Sequence, residues 1–199
     1  IRITGEQGDS VTFSDLATMM NGVPGFKLPD GIEAGLEATH YFQPSQAAYA
    51  NGSHVAEVEV DIETGAVKIL RYVVAHDCGN LINPLIVDGQ VQGGVAHGIG
   101  NALLEHLYYD ENANPLTTTF AEYLLPTAEL VPNVEILHLE SPTPNNPLGV
   151  KGAGEGGTLP AAAVIAAAID DALSTFGVRF KDVPIRPHQI VAAINEANN

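Results

Sequence analysis

The chain has 199 residues and carries 24 acidic against 8 basic side chains, which gives a formal net charge of -16. A surface this acidic repels nucleic acid and anionic lipid, and we expect binding to neither. A hydrophobic fraction of 45% with only 16% charged residues predicts a folded chain with enough apolar side chains for one sizeable core or two small ones.

The single cysteine, Cys78, excludes an internal disulfide and any multi-cysteine zinc or iron-sulfur site built from this chain alone, and it favours a reducing, cytoplasmic setting. The longest apolar run, residues 159–169, is shorter than the roughly 20 residues of a membrane-spanning helix, so no membrane span is predicted. Residues 1–5 show neither an initiator Met nor a signal-peptide pattern, which we interpret as a start inside a longer chain.

The first predicted element is a short helix over residues 15–20, capped by Ser14 and ended by the Asn21-Gly22 turn. Residues 36–42 are predicted to form a strand and residues 43–52 a loop of small residues. We expect residues 1–50 to be a lead-in segment that is poorly tied to the rest of the chain.

A β-hairpin is the clearest local prediction. Residues 55–61 alternate apolar and acidic side chains, Glu63-Thr64-Gly65 forms a turn, and residues 67–75 return as a mostly apolar strand. One face of the first strand should therefore be buried and the other exposed.

The rest of the chain is predicted to be mainly helical. A Gly-rich helix over residues 85–109 precedes a strand over 134–139 and a long, buried, Ala-rich helix over 159–176, in which Thr158 serves as N-cap and Pro160 lies in the first turn. An amphipathic helix over 188–197 comes last. With no internal repeat, this order predicts a mixed α/β or α+β fold.

A Gly-rich run, Gly152-Ala153-Gly154-Glu155-Gly156-Gly157, places one carboxylate among four glycines just before the Ala-rich helix. Glycines allow close approach to a bulky ligand and positive φ angles, and a helix amino terminus favours a negative charge. With Lys151 nearby, Glu155 could act as a general base. A flexible loop whose Glu only caps the helix fits the composition equally well. A P-loop is excluded, because no Lys-Ser/Thr pair follows the glycines.

The predicted Gly-rich helix carries a polar face, because Gln90, Gly94, His97 and Asn101 recur at spacings of four, three and four. Two glycine pairs, Gly89/Gly93 and Gly94/Gly98, would let a backbone or a flat ligand approach closely. An interior Gly costs a helix roughly 1 kcal/mol relative to Ala, so something should pack there. Tight packing of the helix on a strand is the alternative to a ligand.

The segment His76-Asp77-Cys78-Gly79-Asn80 follows the second hairpin strand, with Asn83-Pro84 just before the Gly-rich helix. Ligands of open α/β sheets collect at such strand ends, so this loop is a candidate cofactor contact. Taken singly, Cys78 resembles a buried small hydrophobe and His76 a hydrogen-bonded structural residue. No set of His, Cys or carboxylate residues has metal-ligand spacing, so an organic cofactor would have to carry any metal.

Together these motifs resemble the large subunits of molybdenum hydroxylases, the family of xanthine dehydrogenase, aldehyde oxidase and carbon monoxide dehydrogenase. Four stretches carry the resemblance in the same order: residues 52–61, Asp77-Cys78-Gly79 with Ile82-Asn83-Pro84, Gly89-Gln90-Val91-Gln92-Gly93-Gly94 through Gly98-Ile99-Gly100, and Lys151-Gly152-Ala153-Gly154-Glu155. The resemblance implies that the chain is the carboxyl-terminal portion of the molybdopterin-binding domain. It is closest to the three-subunit bacterial branch.

The resemblance implies an activity: hydroxylation of an aldehyde or of a carbon in an N-heterocycle, with water as the oxygen source and Glu155 as the general base. The implied cofactor is molybdenum held by molybdopterin, in bacteria commonly the cytosine dinucleotide. The residues implied to lie near it are Asp77, Cys78, Gln90, His97, Lys151 and Gly152. Many relatives have Gln at the position of His97, which makes that contact different here.

The resemblance also implies partners. Electrons would leave through two [2Fe-2S] clusters to FAD on partner subunits or domains, within a homo-oligomer. The amino-terminal part of the same subunit would supply further cofactor contacts and most of the substrate pocket, so this chain alone should be inactive. Two other hypotheses remain from the residues: an α/β module that binds a nucleotide or anion, and an assembly domain that docks other subunits without taking part in catalysis.

Overall fold

The computed structural model describes residues 10–21 and 28–198. The chain divides into two compact units, Ile1–Gln43 and Pro44–Asn199. The predictions for residues 1–5 and for Gly22 lie outside the described residues. None of the described helices is long and apolar enough to cross a membrane.

The first unit contains helix α1, Phe13–Met20. Its N-cap is Thr12 rather than the predicted Ser14: the Thr12 hydroxyl accepts from the Asp15 N–H at 3.1 Å, and the Asp15 carboxylate accepts from the Thr12 N–H at 3.3 Å. This reciprocal pair satisfies two free N–H groups, which a cap at Ser14 would not do.

The predicted strand over residues 36–42 is wrong. These residues have no regular secondary structure and are largely exposed. A run of apolar residues becomes a strand only where a neighbouring strand completes its backbone hydrogen bonds, and none of the described strands pairs with this segment.

A three-stranded sheet forms the centre of the second unit. Strand β1, Asn51–Val60, runs antiparallel to β2, Val67–Asp77, and β3, Val134–His138, runs parallel to β2. The hairpin prediction is confirmed. Its turn is closed by the Asp61 carboxylate, which accepts from the N–H groups of Glu63 and Thr64.

The helices of the second unit are α2, Pro84–Leu103, α3, Ala161–Ala172, and α4, Pro187–Ala197, with a short 3-10 turn at Ser174–Phe176 after α3. They cover one face of the sheet, where β2 contributes Tyr72 and Val74 to the core. The other buried core side chains come mainly from the helices: Val91, Val95, Ile99, Ala102, Ala161, Ile165, Ile169, Leu173, Ile190 and Ile194. The mixed α/β class predicted from the sequence is confirmed.

Helices α2 and α3 are both shorter than predicted, and α3 ends at Ala172 rather than at residue 176. Helix α2 ends at Leu103 rather than Tyr109. The Thr117 hydroxyl accepts from the Tyr108 N–H and donates to the His106 carbonyl, so the backbone of residues 106–108 has hydrogen-bond partners outside a helix. Helix α3 begins at Ala161 with no side-chain cap, so Thr158 is not its N-cap. The Thr158 N–H instead donates to the Glu155 carbonyl at 3.1 Å.

The Gly-rich turn as a candidate active site

The Gly-rich run packs backbone against backbone on helix α2. A Cβ on Gly94 would lie 2.9 Å from the backbone of Gly157, and one on Gly157 would collide with the carbonyl of Val91. A Cβ on Gly98 would collide with the Ala161 side chain. Glycine is therefore required where the turn before α3 crosses α2.

The predicted polar face of α2 is the face that meets this turn. The Gln90 amide Nε2 donates to the Gly154 carbonyl at 2.7 Å, and His97 Nδ1 lies 3.3 Å from the Thr158 hydroxyl. The packing alternative thus holds for the Gly94/Gly98 pair, although the partners are the turn before α3 and the first residue of α3 rather than a strand. Gly89 and Gly93 are different, because a Cβ on either would meet no described atom within 4 Å.

Glu155 is exposed and lies six positions before the start of α3. Its carbonyl accepts from the N–H groups of Thr158 and Leu159 at 3.1 and 3.2 Å, so the residue opens a tight turn. Helix α3 has Pro160 at its N-cap position and no side-chain cap. The capping alternative for Glu155 is therefore wrong.

The four glycines of the run do not serve positive φ angles, since none of them has a left-handed backbone. Gly156 and Gly157 are in close contact: a Cβ on Gly156 would collide with the His76 ring. Gly152 and Gly154 would accommodate a Cβ without meeting any described atom within 4 Å. The close approach to a bulky ligand stays a prediction, because at Gly156 and Gly157 the close approach is to the protein itself.

The loop after β2 is tied to the Gly-rich run by a buried ion pair. Lys151 Nζ lies 3.4 Å from the Asp77 carboxylate, and both side chains are about nine-tenths buried, at 10% and 8% exposed. The same carboxylate oxygen accepts from the N–H groups of Gly79, at 2.9 Å, and Ser141, at 3.2 Å. Burial opposes ionisation of Asp77, but these donors outweigh it and hold its pKa well below the usual range.

Cys78 lies in the sequence between Asp77 and Gly79, which are joined by a hydrogen bond. Its carbonyl accepts from the Lys151 N–H at 2.7 Å, and its side chain is only 4% exposed. Burial raises the pKa of the thiol, so it remains protonated at neutral pH. The structure agrees with the interpretation of Cys78 as a small buried hydrophobe, whose backbone helps to place Lys151 and Gly152.

Sequence reasoning missed the residues beneath the turn. His54 Nε2 lies 3.0 Å from the Gly156 carbonyl and His54 Nδ1 lies 2.9 Å from the Tyr72 hydroxyl. The interpretation of His76 as hydrogen-bonded is wrong, because neither ring nitrogen has a partner among the described residues, and the ring is 1% exposed. The period-two pattern of β1 could have placed His54 on the buried face, but not its partner 102 positions away.

The outer side of the turn can receive a flat ligand that is rich in hydrogen-bond acceptors. No hydrogen bond within the described ranges uses the N–H groups of Gly152 and Ala153, and Gly152 and Gly154 present no side chain. The described residues contain no group of three or more His, Cys, Asp or Glu residues that could hold a metal ion directly. The turn therefore presents one exposed carboxylate, that of Glu155, beside the backbone N–H donors of Gly152 and Ala153.

The chain is similar to known proteins over most of its length. Residues 2–132 match the model of the molybdopterin cofactor-binding domain. The chain is 44% identical over 167 residues to the nicotine 6-hydroxylase large subunit of Paenarthrobacter nicotinovorans. The match covers 84% of this chain and 20% of that protein. It is 33% identical over 197 residues to the carbon monoxide dehydrogenase large chain of Hydrogenophaga pseudoflava. That match covers 99% of this chain and 24% of that protein.

Among solved structures, quinoline 2-oxidoreductase from Pseudomonas putida 86 superposes with a TM-score of 0.80 at 42% identity, over 92% of this chain and 23% of that one. The chain thus spans a fifth to a quarter of the length of these relatives. The chain belongs to the molybdopterin cofactor-binding domain family, among the large subunits of molybdenum hydroxylases.

Proposed function

We propose that the chain is the carboxyl-terminal portion of the molybdopterin-binding domain of an enzyme that hydroxylates a carbon atom of its substrate, with Glu155 as the general base. The observation that carries the proposal is the contrast around this residue. Its turn is fixed against α2 through Gln90 and Gly157, whereas its side chain is exposed, and a Cβ on the preceding Gly154 would meet no described atom within 4 Å.

The residues present fit a pyranopterin, which is flat and rich in hydrogen-bond acceptors. The N–H groups of Gly152 and Ala153 are available to donate, and a Cβ on Gly152 would fill the space that a ring could occupy. Gln90, His97 and Lys151 border the same turn through their contacts with Gly154, Thr158 and Asp77. Asp77 and Cys78 would contribute by holding Lys151 and Gly152 in place.

When bound, the molybdenum cofactor supplies the two-electron oxidation that hydroxylation requires. Within this chain, a Glu155 carboxylate oxygen accepts the proton from the water-derived nucleophile as it attacks the electrophilic carbon. The anchored turn fixes the backbone from which the Glu155 side chain extends, which reduces the conformational freedom that has to be lost before reaction.

The proposed substrate is an N-heterocycle rather than an aldehyde. Two similar proteins, at 44% and 42% identity, are named for nicotine and quinoline, which are both N-heterocycles. The carbon next to a ring nitrogen is electron-poor, so it suits attack by an oxygen nucleophile. An aldehyde remains the second substrate class implied by the sequence motifs.

The proposal includes the wider assembly. The cofactor would be the cytosine dinucleotide form, and [2Fe-2S] clusters and FAD on partner subunits would accept the electrons in a cytoplasmic homo-oligomer. The matched relatives are large subunits or large chains, which supports partner subunits in general. The amino-terminal part of the same subunit would complete the pocket.

The test is Glu155→Gln in the full-length enzyme with its cofactor and partner subunits. Turnover should fall by about 10²- to 10⁴-fold, the usual contribution of a general base, with molybdenum content unchanged. Glu63→Gln, which changes an exposed glutamate in the hairpin turn, is the matched control and should keep full activity. Full turnover by Glu155→Gln would disprove the assigned role. Absence of molybdenum from the wild-type enzyme would disprove the proposed class of reaction.

A further inference from the structure

The backbone on both sides of Glu155 is held by hydrogen bonds from three parts of the fold. The Gly154 carbonyl accepts from Gln90 on α2 at 2.7 Å, and the Gly156 carbonyl faces His54 on β1 at 3.0 Å. The Glu155 carbonyl accepts within the turn from Thr158 and Leu159. Three consecutive carbonyls are therefore fixed.

Fixing the peptide planes on either side of Glu155 fixes the direction of its Cα–Cβ bond. Each peptide unit is planar, so the planes before and after a Cα determine its φ and ψ, and with them the direction of the Cα–Cβ bond. Gln90 holds the unit before Glu155 through the Gly154 carbonyl, and the N–H groups of Thr158 and Leu159 hold the unit after it through the Glu155 carbonyl. His54 holds the next unit along the chain, through the Gly156 carbonyl. The Cα–Cβ bond of Glu155 thus has a defined direction, although the side chain itself is exposed.

The hydrogen-bond chemistry of His54 follows from its two neighbours. A carbonyl oxygen can only accept, so Nε2 of His54 carries the proton and donates to Gly156. The other ring nitrogen then accepts from the Tyr72 hydroxyl at 2.9 Å. Burial lowers the pKa of His54, against the opposing effect of the bond to Gly156, and burial raises the pKa of Tyr72. Both groups are therefore neutral, as this chain of donors requires.

His76 holds Gly156 by contact rather than by hydrogen bonding. Its ring lies where a Cβ on Gly156 would be. His54 and His76 are diagonal neighbours on one face of the hairpin, since His54 pairs with Val74 and Gly52 pairs with His76. The Gly156 peptide thus lies against the buried face of the hairpin, with a directional bond from one histidine and van der Waals contact from the other.

We propose that His54, oriented by Tyr72, is a positioning residue for Glu155: by holding the carbonyl of Gly156, the next residue, it keeps in place the turn from which the catalytic side chain extends. This inference rests on the proposed function for its effect on turnover. Its effect on the turn itself is independent of any reaction.

The experiment compares His54→Leu, which removes the donor, with His54→Gln, whose amide nitrogen can reach the same carbonyl. The matched control is His138→Leu. His138 lies on the neighbouring strand β3 and donates to the Asp88 carboxylate at 2.6 Å, not to the turn. All variants are made in the full-length enzyme with its cofactor and partner subunits, and turnover, molybdenum content and amide hydrogen exchange of residues 154–159 are measured.

His54→Leu should lower kcat by about 10- to 100-fold, the range expected from a misplaced catalytic group, with little change in KM or molybdenum content. The N–H groups of Thr158 and Leu159 should exchange faster, because the turn that carries their acceptor, the Glu155 carbonyl, loses its hydrogen bond to β1 at Gly156. His54→Gln should restore most of both properties. Tyr72→Phe, a smaller change, should shift both in the same direction to a lesser extent.

Wild-type kcat and wild-type exchange in His54→Leu would overturn the inference, and so would equal losses in His54→Leu and His138→Leu. Neither result would affect the proposed function if Glu155→Gln were inactive in the same assay. If Glu155→Gln kept full activity, the proposed function would fail, and the exchange at Thr158 and Leu159 would still decide whether His54 holds the turn. If His54→Leu does not fold, Tyr72→Phe and His54→Gln provide the same comparison.

Discussion

The two sides of the Gly-rich run have different reasons for their residues. On the inner side, Gly156 and Gly157 leave no room for a Cβ against His76 and α2, and the Lys151 side chain is turned inward to Asp77. On the outer side, a Cβ on Gly152 or Gly154 would meet no described atom within 4 Å, and Glu155 is exposed. The inner glycines are explained by the packing of this chain. The outer glycines are not, and they are the ones that a ligand would explain.

This contrast shows that one short motif can combine two requirements. A glycine-rich sequence gives no indication of which glycine serves the fold and which serves a ligand, because both need the same missing Cβ. Substitutions at the two sides should therefore separate loss of stability from loss of cofactor. The predictions below use the full-length protein, in order of decreasing effect on the free energy of unfolding.

The largest effect is expected from Asp77→Asn. The change leaves the buried Lys151 ammonium without its carboxylate, and breaking a buried ion pair on one side costs about 3–5 kcal/mol. Thermal or denaturant unfolding measures the loss. The paired change of Lys151 to Met in the same protein should recover part of it, and a double variant no more stable than Asp77→Asn would show that the pair is not the cause.

Gly157→Ala should follow, with a loss of about 1–3 kcal/mol from overpacking against the Val91 carbonyl. The neighbouring contact offers no flexible side chain that could move aside, because the nearest atoms belong to the backbone of α2. Gly152→Ala is the matched control, and equal losses in the two variants would remove the distinction between the inner and outer sides.

The pH dependence of unfolding tests the buried histidines of the inner side. Burial and the neighbouring His138 lower the pKa of His76, against the opposing effect of Asp77. As the pH falls below about 6.5, the histidine is therefore protonated in the unfolded chain at a higher pH than in the folded chain. The free energy of unfolding then decreases by up to about 1.4 kcal/mol per pH unit. His54 adds to the same loss, since its pKa is also lowered.

The depressed pKa of Asp77 gives a separate loss at lower pH, where the unfolded carboxyl is protonated first, below about pH 4. His76→Phe should flatten the unfolding free energy between pH 6.5 and 5 while leaving the Asp77 region unchanged. An unaltered profile above pH 5 would show that His76 does not contribute to the acid sensitivity.

The smallest effect on stability is expected from Gly152→Ala and Gly154→Ala, within about 0.5 kcal/mol of the wild type. Their effect should appear instead in cofactor content, because a methyl group would occupy space beside the available N–H groups. Molybdenum per protein is the measurement. Full molybdenum content in both variants would mean that the outer glycines do not face the cofactor.

The parts of the fold that were predictable from sequence are those with local signals. The hairpin followed from strict alternation and the turn at Gly65, and α2 followed from helical periodicity, which placed its start at residue 85 where the structure has Pro84. The strand over residues 36–42 and the helix end at Tyr109 were predicted wrongly, since both depend on partners elsewhere in the chain. A side chain such as Thr117, which draws the backbone near Tyr108 out of the helix, leaves no trace in helical periodicity.

The candidate site divides in the same way. Helical spacing brought Gln90, Gly94 and His97 to one face, and the structure places that face on the turn. The link between His54 and Gly156 could not be predicted, because it joins a strand to a turn 102 positions later. A hydrogen bond over such a separation depends on the whole topology.

The link between Asp77 and Lys151 has a consequence for how the enzyme is made. The ion pair spans 74 positions and the bond from His54 spans 102, so the turn that carries Glu155 can close only after the hairpin and α2 have docked. Loop closure over these lengths carries an entropic cost that only the formed core offsets. We therefore expect the turn that carries Glu155 to form late in folding, so that insertion of the proposed cofactor should require a chain whose core is complete.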